Sequence, residues 1–206
     1  MSSLTHIRAA FAHRNYRLYV SGNSVSLVGL WIQRIALGWL VWELTRSGAW
    51  LGAVAFADLC PSLIVGPFAG VIADRANRLT IMRIAQTLSL LQAFALGVLT
   101  AAGWINIELI FVLVLINGII VGFNQPARLS LVSSLVPRAN LSTAVAINSI
   151  VFNLARFIGP AIAGLLIVTV GVAAAFLVNA LSYLVFLIAL ARIRLDPETL
   201  PARTDH

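Results

Sequence analysis

Six long apolar stretches, separated by short polar breaks, limit what this chain can become more than any other feature. They run Leu18–Trp42, Ala49–Ala73, Leu79–Ala102, Ile105–Gln125, Thr143–Val168 and Val172–Ala191. Each holds 20 residues or more, the length an α-helix needs to cross the hydrocarbon core of a bilayer. Period-two alternation is absent, and open strands cannot satisfy their backbone groups in lipid. The expectation is an all-α membrane protein with six transmembrane helices. Composition agrees, with 60% hydrophobic and only 10% charged residues, against about 25% charged in soluble domains. So apolar a chain has no basis for disorder either.

The arginines set an orientation. All 14 basic residues are arginine. Counting alternate sides of the six spans, 11 fall on one side, Arg46 is alone on the other, and Arg34 and Arg156 lie within spans. The positive-inside rule then puts both termini in the cytoplasm of a multi-pass inner-membrane protein. Trp42, Trp50 and Trp104 map to the outer interface, where amphipathic rings prefer to sit. Three segments follow: a cytoplasmic start at 1–17, a membrane domain at 18–195, and a linker or tail at 196–206. The Pro126–Ser142 connection is long enough for an interfacial helix, whose apolar side would hold Leu129, Leu131, Val132, Leu135 and Val136. Met1–Arg17 is polar and basic, and no cleavable signal sequence is visible.

Several function classes drop out. The arginines form no basic stripe with interleaved aromatics, so nucleic acid is not an expected partner. His6, His13 and His206 lie in polar termini, and Cys60 stands alone, so no metal site or cofactor is expected. No phosphate-cradling loop occurs, and an enzyme is not expected.

Two strings carry more specific information. Gly70-Val-Ile-Ala-Asp74-Arg75-Ala-Asn77-Arg78 follows the second span, with Gly66 and Gly70 forming a small-xxx-small pair suited to close helix approach. The fifth span carries Asn148, Ser149, Asn153, Arg156, Gly159, Pro160 and Gly164. Ser149, Asn153, Arg156, Pro160 and Gly164 share one helix face. Such a polar, kinkable stripe faces protein or an aqueous cavity, not lipid.

The first string resembles the loop between helices two and three of the major facilitator superfamily. It departs where Asn77 replaces a glycine, which asparagine's tolerance of positive φ permits, and where Leu79 replaces a basic residue. The Gly-Pro and Ala-Gly pairs resemble the fifth-helix motif of proton-driven exporters, without its extra upstream glycines. Further strings extend the likeness from about Phe11 to Leu195: Asn15-Tyr16-Arg17-Leu18, Trp31-Ile-Gln33-Arg34, Gly48-Ala-Trp50-Leu-Gly52, Pro126-Ala127-Arg128 and Phe176-Leu-Val-Asn179-Ala-Leu-Ser182-Tyr183. Together they resemble the enterobactin-exporter-like branch. The resemblance implies one half of a major facilitator fold, its six helices arranged as two inverted three-helix repeats. It also implies a second six-helix half, a small-molecule substrate, proton-coupled export, a conformational-switch loop at Gly70, Asp74, Arg75 and Arg78, and a helix kink at Gly159, Pro160 and Gly164. A non-transporting membrane adaptor is the alternative; it would lack a water-filled cavity.

Charges inside the membrane are expensive and need an account. At 1.5 Å per residue, Arg34 and Asp58 sit roughly 12 and 14 Å below the same interface, so an ion pair between antiparallel neighbours is feasible. It either neutralises both charges or couples transport, with Asp58 carrying a proton and Arg34 tuning its acidity. Arg156 has no carboxylate at its depth, and either faces a cavity or bonds to carbonyls and amides. Gln33, Asn117, Asn148 and Asn153 are the other cavity and substrate candidates, with Asn124 beside Asn117 on the fourth span. Gly118 and Gly122 suit close packing.

Overall fold

The computed structural model describes residues 11–75, 77–137 and 140–194, with the backbone alone at 71–75. Six long helices account for most of them: α1 (Arg14–Thr45), α2 (Gly48–Arg75), α3 (Arg78–Ala101), α4 (Ile107–Leu135), α5 (Leu141–Thr169) and α6 (Val172–Arg192). Each is long and apolar enough to cross a membrane.

The two ends of the bundle are built differently. At the end carrying Trp42, Trp50 and Trp104, each turn contains a residue of positive φ: Arg46 at 49°, Gly103 at 69° and Gly171 at 102°. Arg46 closes α1 in the left-handed conformation, its N–H bonding back to the Trp42 carbonyl. At the arginine-rich end, Asn77 lies in the extended region at φ −69°, not at positive φ as its place in the motif suggests. Its side-chain oxygen accepts from the Leu79 and Thr80 N–H groups at 3.0 and 3.3 Å. Asn77 therefore replaces the glycine as an N-cap of α3.

The expected interfacial helix is not a separate element. α4 runs straight through Pro126 to Leu135. Leu131, Val132, Leu135 and Val136 are buried in a cluster with Tyr16, Met82 and Leu190, and Leu129 alone stays exposed. An internal proline costs about 3 kcal/mol. Burying an aliphatic side chain returns about 1.5–3 kcal/mol each, so four of them outweigh the proline.

The main packings are α1 against α6 and α5, α3 against α6 and α4, and α2 against α4. Exchanging α1–α3 for α4–α6 carries the α1–α6 contact onto α4–α3, and α1–α5 onto α4–α2. The α3–α6 contact maps onto itself. Since α1 and α4 start from opposite ends of the bundle, the two units are inverted repeats. This is the six-helix arrangement of half a major facilitator fold.

Close approaches depend on glycine at defined points. A Cβ on Gly29 would strike Ser182 and Asn179 of α6, and one on Gly118 would meet the Asp58 and Ala57 carbonyls at 2.8 and 2.9 Å. By contrast, a Cβ on Gly66 or Gly70 would meet nothing within 4 Å. That pair packs against no described helix of this chain. Arg83 of α3 ties off α6: its Nε and Nη2 donate to the Leu190 carbonyl at 3.2 and 2.7 Å, and Nη2 reaches those of Ala191 and Ile193 at 3.4 Å.

The interior is layered. One apolar cluster fills the arginine-rich end, from Tyr16 and Tyr19 to Leu131 and Leu190. A second, around Ile32, Leu96, Ile110 and Phe176, fills the tryptophan end. Between them lie the buried polar side chains Asn23, Ser26, Gln33, Gln86, Ser89, Gln92, Asn117, Asn179 and Ser182.

Candidate functional site

The belt is held by amide-to-amide bonding, as it must be where water is scarce. Gln33 donates to Gln92 at 3.2 Å and accepts from Asn179 at 2.8 Å. Ser182 donates to the Asn179 side-chain oxygen at 3.0 Å. Gln92 also donates to the Leu113 carbonyl at 3.4 Å. These bonds lock α1, α3, α4 and α6 at mid-depth. Gln33 is thus a core amide bonded through both its nitrogen and its oxygen, and does not line the cavity, as its neighbour Arg34 does.

Arg34 and Asp58 are brought together: Nη2 lies 3.5 Å from Oδ2. Asn117 of α4 donates to the other carboxylate oxygen at 3.2 Å. Asp58 therefore joins α1, α2 and α4. The Arg34 guanidinium also lies 5.1 Å from the centre of the Trp31 ring, and that of Arg156 lies 5.6 Å from the same ring. Among the described residues Arg156 has no carboxylate partner, and the tryptophan face supplies its cation–π contact.

A cavity of about 410 Å³ runs from Arg34 towards the arginine-rich end. Of the candidate residues, Arg34, Asn117, Asn148 and Asn153 line it, while Gln33 and Arg156 do not. Asn153 turns its amide onto the Ser149 carbonyl of its own helix, at 2.9 Å. On the other side of the pair, a cleft of about 200 Å³ opens between α1 and α2, lined by Arg34, Asp58 and apolar residues such as Val41 and Leu51. Arg34 borders both spaces. Asp58 borders the cleft alone.

Sequence reasoning missed the polar floor of the cavity. Arg128 lines it and donates from Nη2 to Asn23 at 2.6 Å, and Asn23 donates in turn to Asn148 at 3.1 Å. Gln86 reaches Ser26 at 3.4 Å. The signal was the run Gln86, Ser89, Gln92, three polar residues one helical turn apart in an apolar stretch. Of the switch loop, Arg78 donates to the Ser130 carbonyl and the Ser134 hydroxyl, both at 3.4 Å. The side chains of Asp74 and Arg75 lie outside the described residues, and Gly70 faces open space. In the kink motif, a Cβ on Gly159 would strike Trp31, whereas one on Gly164 would meet nothing. Pro160 lies inside continuous α5.

A family model described as transmembrane secretion effector, one of the major facilitator models, matches residues 5–204. The chain belongs to the major facilitator superfamily. Over 170 residues it is 31% identical to the staphyloferrin A transporter of Staphylococcus aureus, an alignment covering 82% of this chain and 43% of that protein. It is 28% identical to the multidrug efflux pump Tap of Mycolicibacterium fortuitum, covering 89% and 44%. It is also 28% identical to the macrolide efflux protein A of Streptococcus pyogenes, covering 71% and 36%. The chain spans less than half the length of these major facilitator relatives, and each of the three is named as a transporter or an efflux protein.

Proposed function

We propose that this chain is one half of a secondary active transporter that exports small molecules in exchange for protons. The observation that carries the reading is the polar cavity, bounded at mid-depth by Arg34, whose ion pair with Asp58 borders the cleft beyond it. An adaptor needs neither the cavity nor the charges. The chain lies in the inner membrane with both termini cytoplasmic, a reading supported by the arginine asymmetry and the tryptophan belt. The cavity then opens towards the cytoplasm, and the cleft towards the outside.

The chemistry of the pair suits a proton switch. A proton arriving through the cleft neutralises Asp58 at a carboxylate oxygen, releasing the Arg34 guanidinium. Losing that contact frees α2 to shift against α1, and access passes from one side to the other. Arg78, bridging α3 to α4, and the neighbouring Gly70, Asp74 and Arg75 form the switch loop on the cytoplasmic face. Rocking against a second six-helix half completes alternating access. Two features support that partner: the short span of the chain against its relatives, and the poor cover of α2 and α5. Only 17% of an 18-residue apolar stretch of each is buried, against 33–44% for the other four helices.

The test uses everted vesicles containing the complete transporter, with an acid lumen and a panel of dyes of both charge signs. Accumulation of at least one dye, abolished when the pH gradient is collapsed, is the expected result. Absence of any transporter-dependent movement would overturn the reading.

A further inference from the structure

The charges around the cavity are unequal, and we infer that it takes an organic anion, carboxylate or phosphate, that also carries hydrogen-bond donors. This rests on the transporter reading and names the substrate class. Of the seven acidic residues in the sequence, only Asp58 lies deep within a span. Glu43 and Glu108 are in terminal turns, Asp74 ends α2, and Asp196, Glu198 and Asp205 lie outside the described residues. Asp58 is already held by Arg34 and Asn117. Against it stand Arg34 and Arg128 in the lining, with Arg156 close by at Trp31.

Arg128 is the decisive group. Its one side-chain hydrogen bond among the described residues goes to a neutral amide oxygen, that of Asn23. A guanidinium has five N–H donors in a fork that matches a carboxylate or phosphate. Most of those donors are left for a ligand, in a half-buried place where a charge without a counter-ion is costly. Two acceptors complete the site. The side-chain oxygens of Asn117 and Asn124 are buried without partners, and both residues line the cavity. For Asn117 the orientation is fixed, since its NH₂ donates to Asp58. A ligand that offers negative charge to Arg128 and hydroxyl or N–H donors to these oxygens satisfies all three groups. The volume of about 410 Å³ falls in the range of small-molecule sites. A membrane potential negative inside also drives such an anion outward, by about 2.3 kcal/mol per charge per 100 mV.

The test compares two xanthene dyes of opposite charge, carboxyfluorescein and rhodamine 6G, on the complete transporter in nanodiscs and in everted vesicles, with the dye side held mildly acid so that carboxyfluorescein keeps a phenolic hydroxyl donor. Carboxyfluorescein should bind and be moved in preference to rhodamine 6G. Arg128→Gln should weaken its binding at least about tenfold, while Arg128→Lys, which keeps the charge, should retain most of it. Arg156→Gln alters an exposed side chain whose cross-helix contact is the cation–π one to Trp31; it should weaken the anion by several-fold at no more than a small cost in thermal stability. Preference for rhodamine 6G, or carboxyfluorescein binding indifferent to both glutamine variants, would overturn the anion assignment and leave the transporter standing. Movement of neither dye counts against transport itself.

Discussion

A charged residue near the bilayer centre costs at least about 2.5 kcal/mol on insertion scales, so Arg34 and Asp58 each need the other. Their 3.5 Å contact makes a clear double-variant prediction. Arg34→Ala and Asp58→Asn should each lower folded yield by stranding a charge. The Arg34→Gln/Asp58→Asn double variant should recover yield, yet lose the response of transport to a pH gradient, because asparagine cannot ionise. Wild-type pH dependence in a well-folded double variant would leave the pair with a structural role only. These two residues were legible because charges stand out in apolar runs and their depths agree. Arg128 was not, because Pro126 reads as the end of a span and puts Arg128 in a loop. Only the continuity of α4 brings it into the cavity. That Gln33 turns inward while Arg34 lines the cavity was not legible for a simpler reason: one residue along a helix is a turn of about 100°, enough to separate a lining side chain from a core one.

Among the elements, the inverted repeats share a division of labour. α1, α3, α4 and α6 carry the buried polar belt, while α2 and α5 pack outside; internal prolines fall on both kinds, Pro61 and Pro67 in α2, Pro160 in α5 and Pro126 in α4. The two glycines of the α5 motif differ accordingly. Gly159 lies against α1 at Trp31, and Gly164 faces away from every described helix. Gly159→Ala should therefore cost about 1–3 kcal/mol by overpacking, and Gly164→Ala should be neutral or slightly stabilising in this half. Thermal unfolding in detergent separates them, and equal losses would contradict the α1–α5 seam. Helix number and approximate bounds were readable from apolar length alone. Which glycines form seams was not, because small-xxx-small spacing marks a flat face without saying which neighbour meets it.

For the molecule as a whole, the asymmetry of the arginines predicts sidedness. With Cys60 replaced by serine, Trp104→Cys should react with an impermeant maleimide on intact cells, and Asn140→Cys only after permeabilisation. The reverse pattern would invert the proposed topology. The grip of Arg83 on the end of α6 adds a mechanical consequence. Terminal carbonyls of a helix ordinarily fray into solvent, but here they are fastened to a second helix. Tension on the chain beyond Arg192 therefore loads α3 and α6 together, so that neither is peeled away alone. Pulled from that end by a cantilever, the protein should release both helices in one rupture, and Arg83→Gln should split that event into two weaker ones.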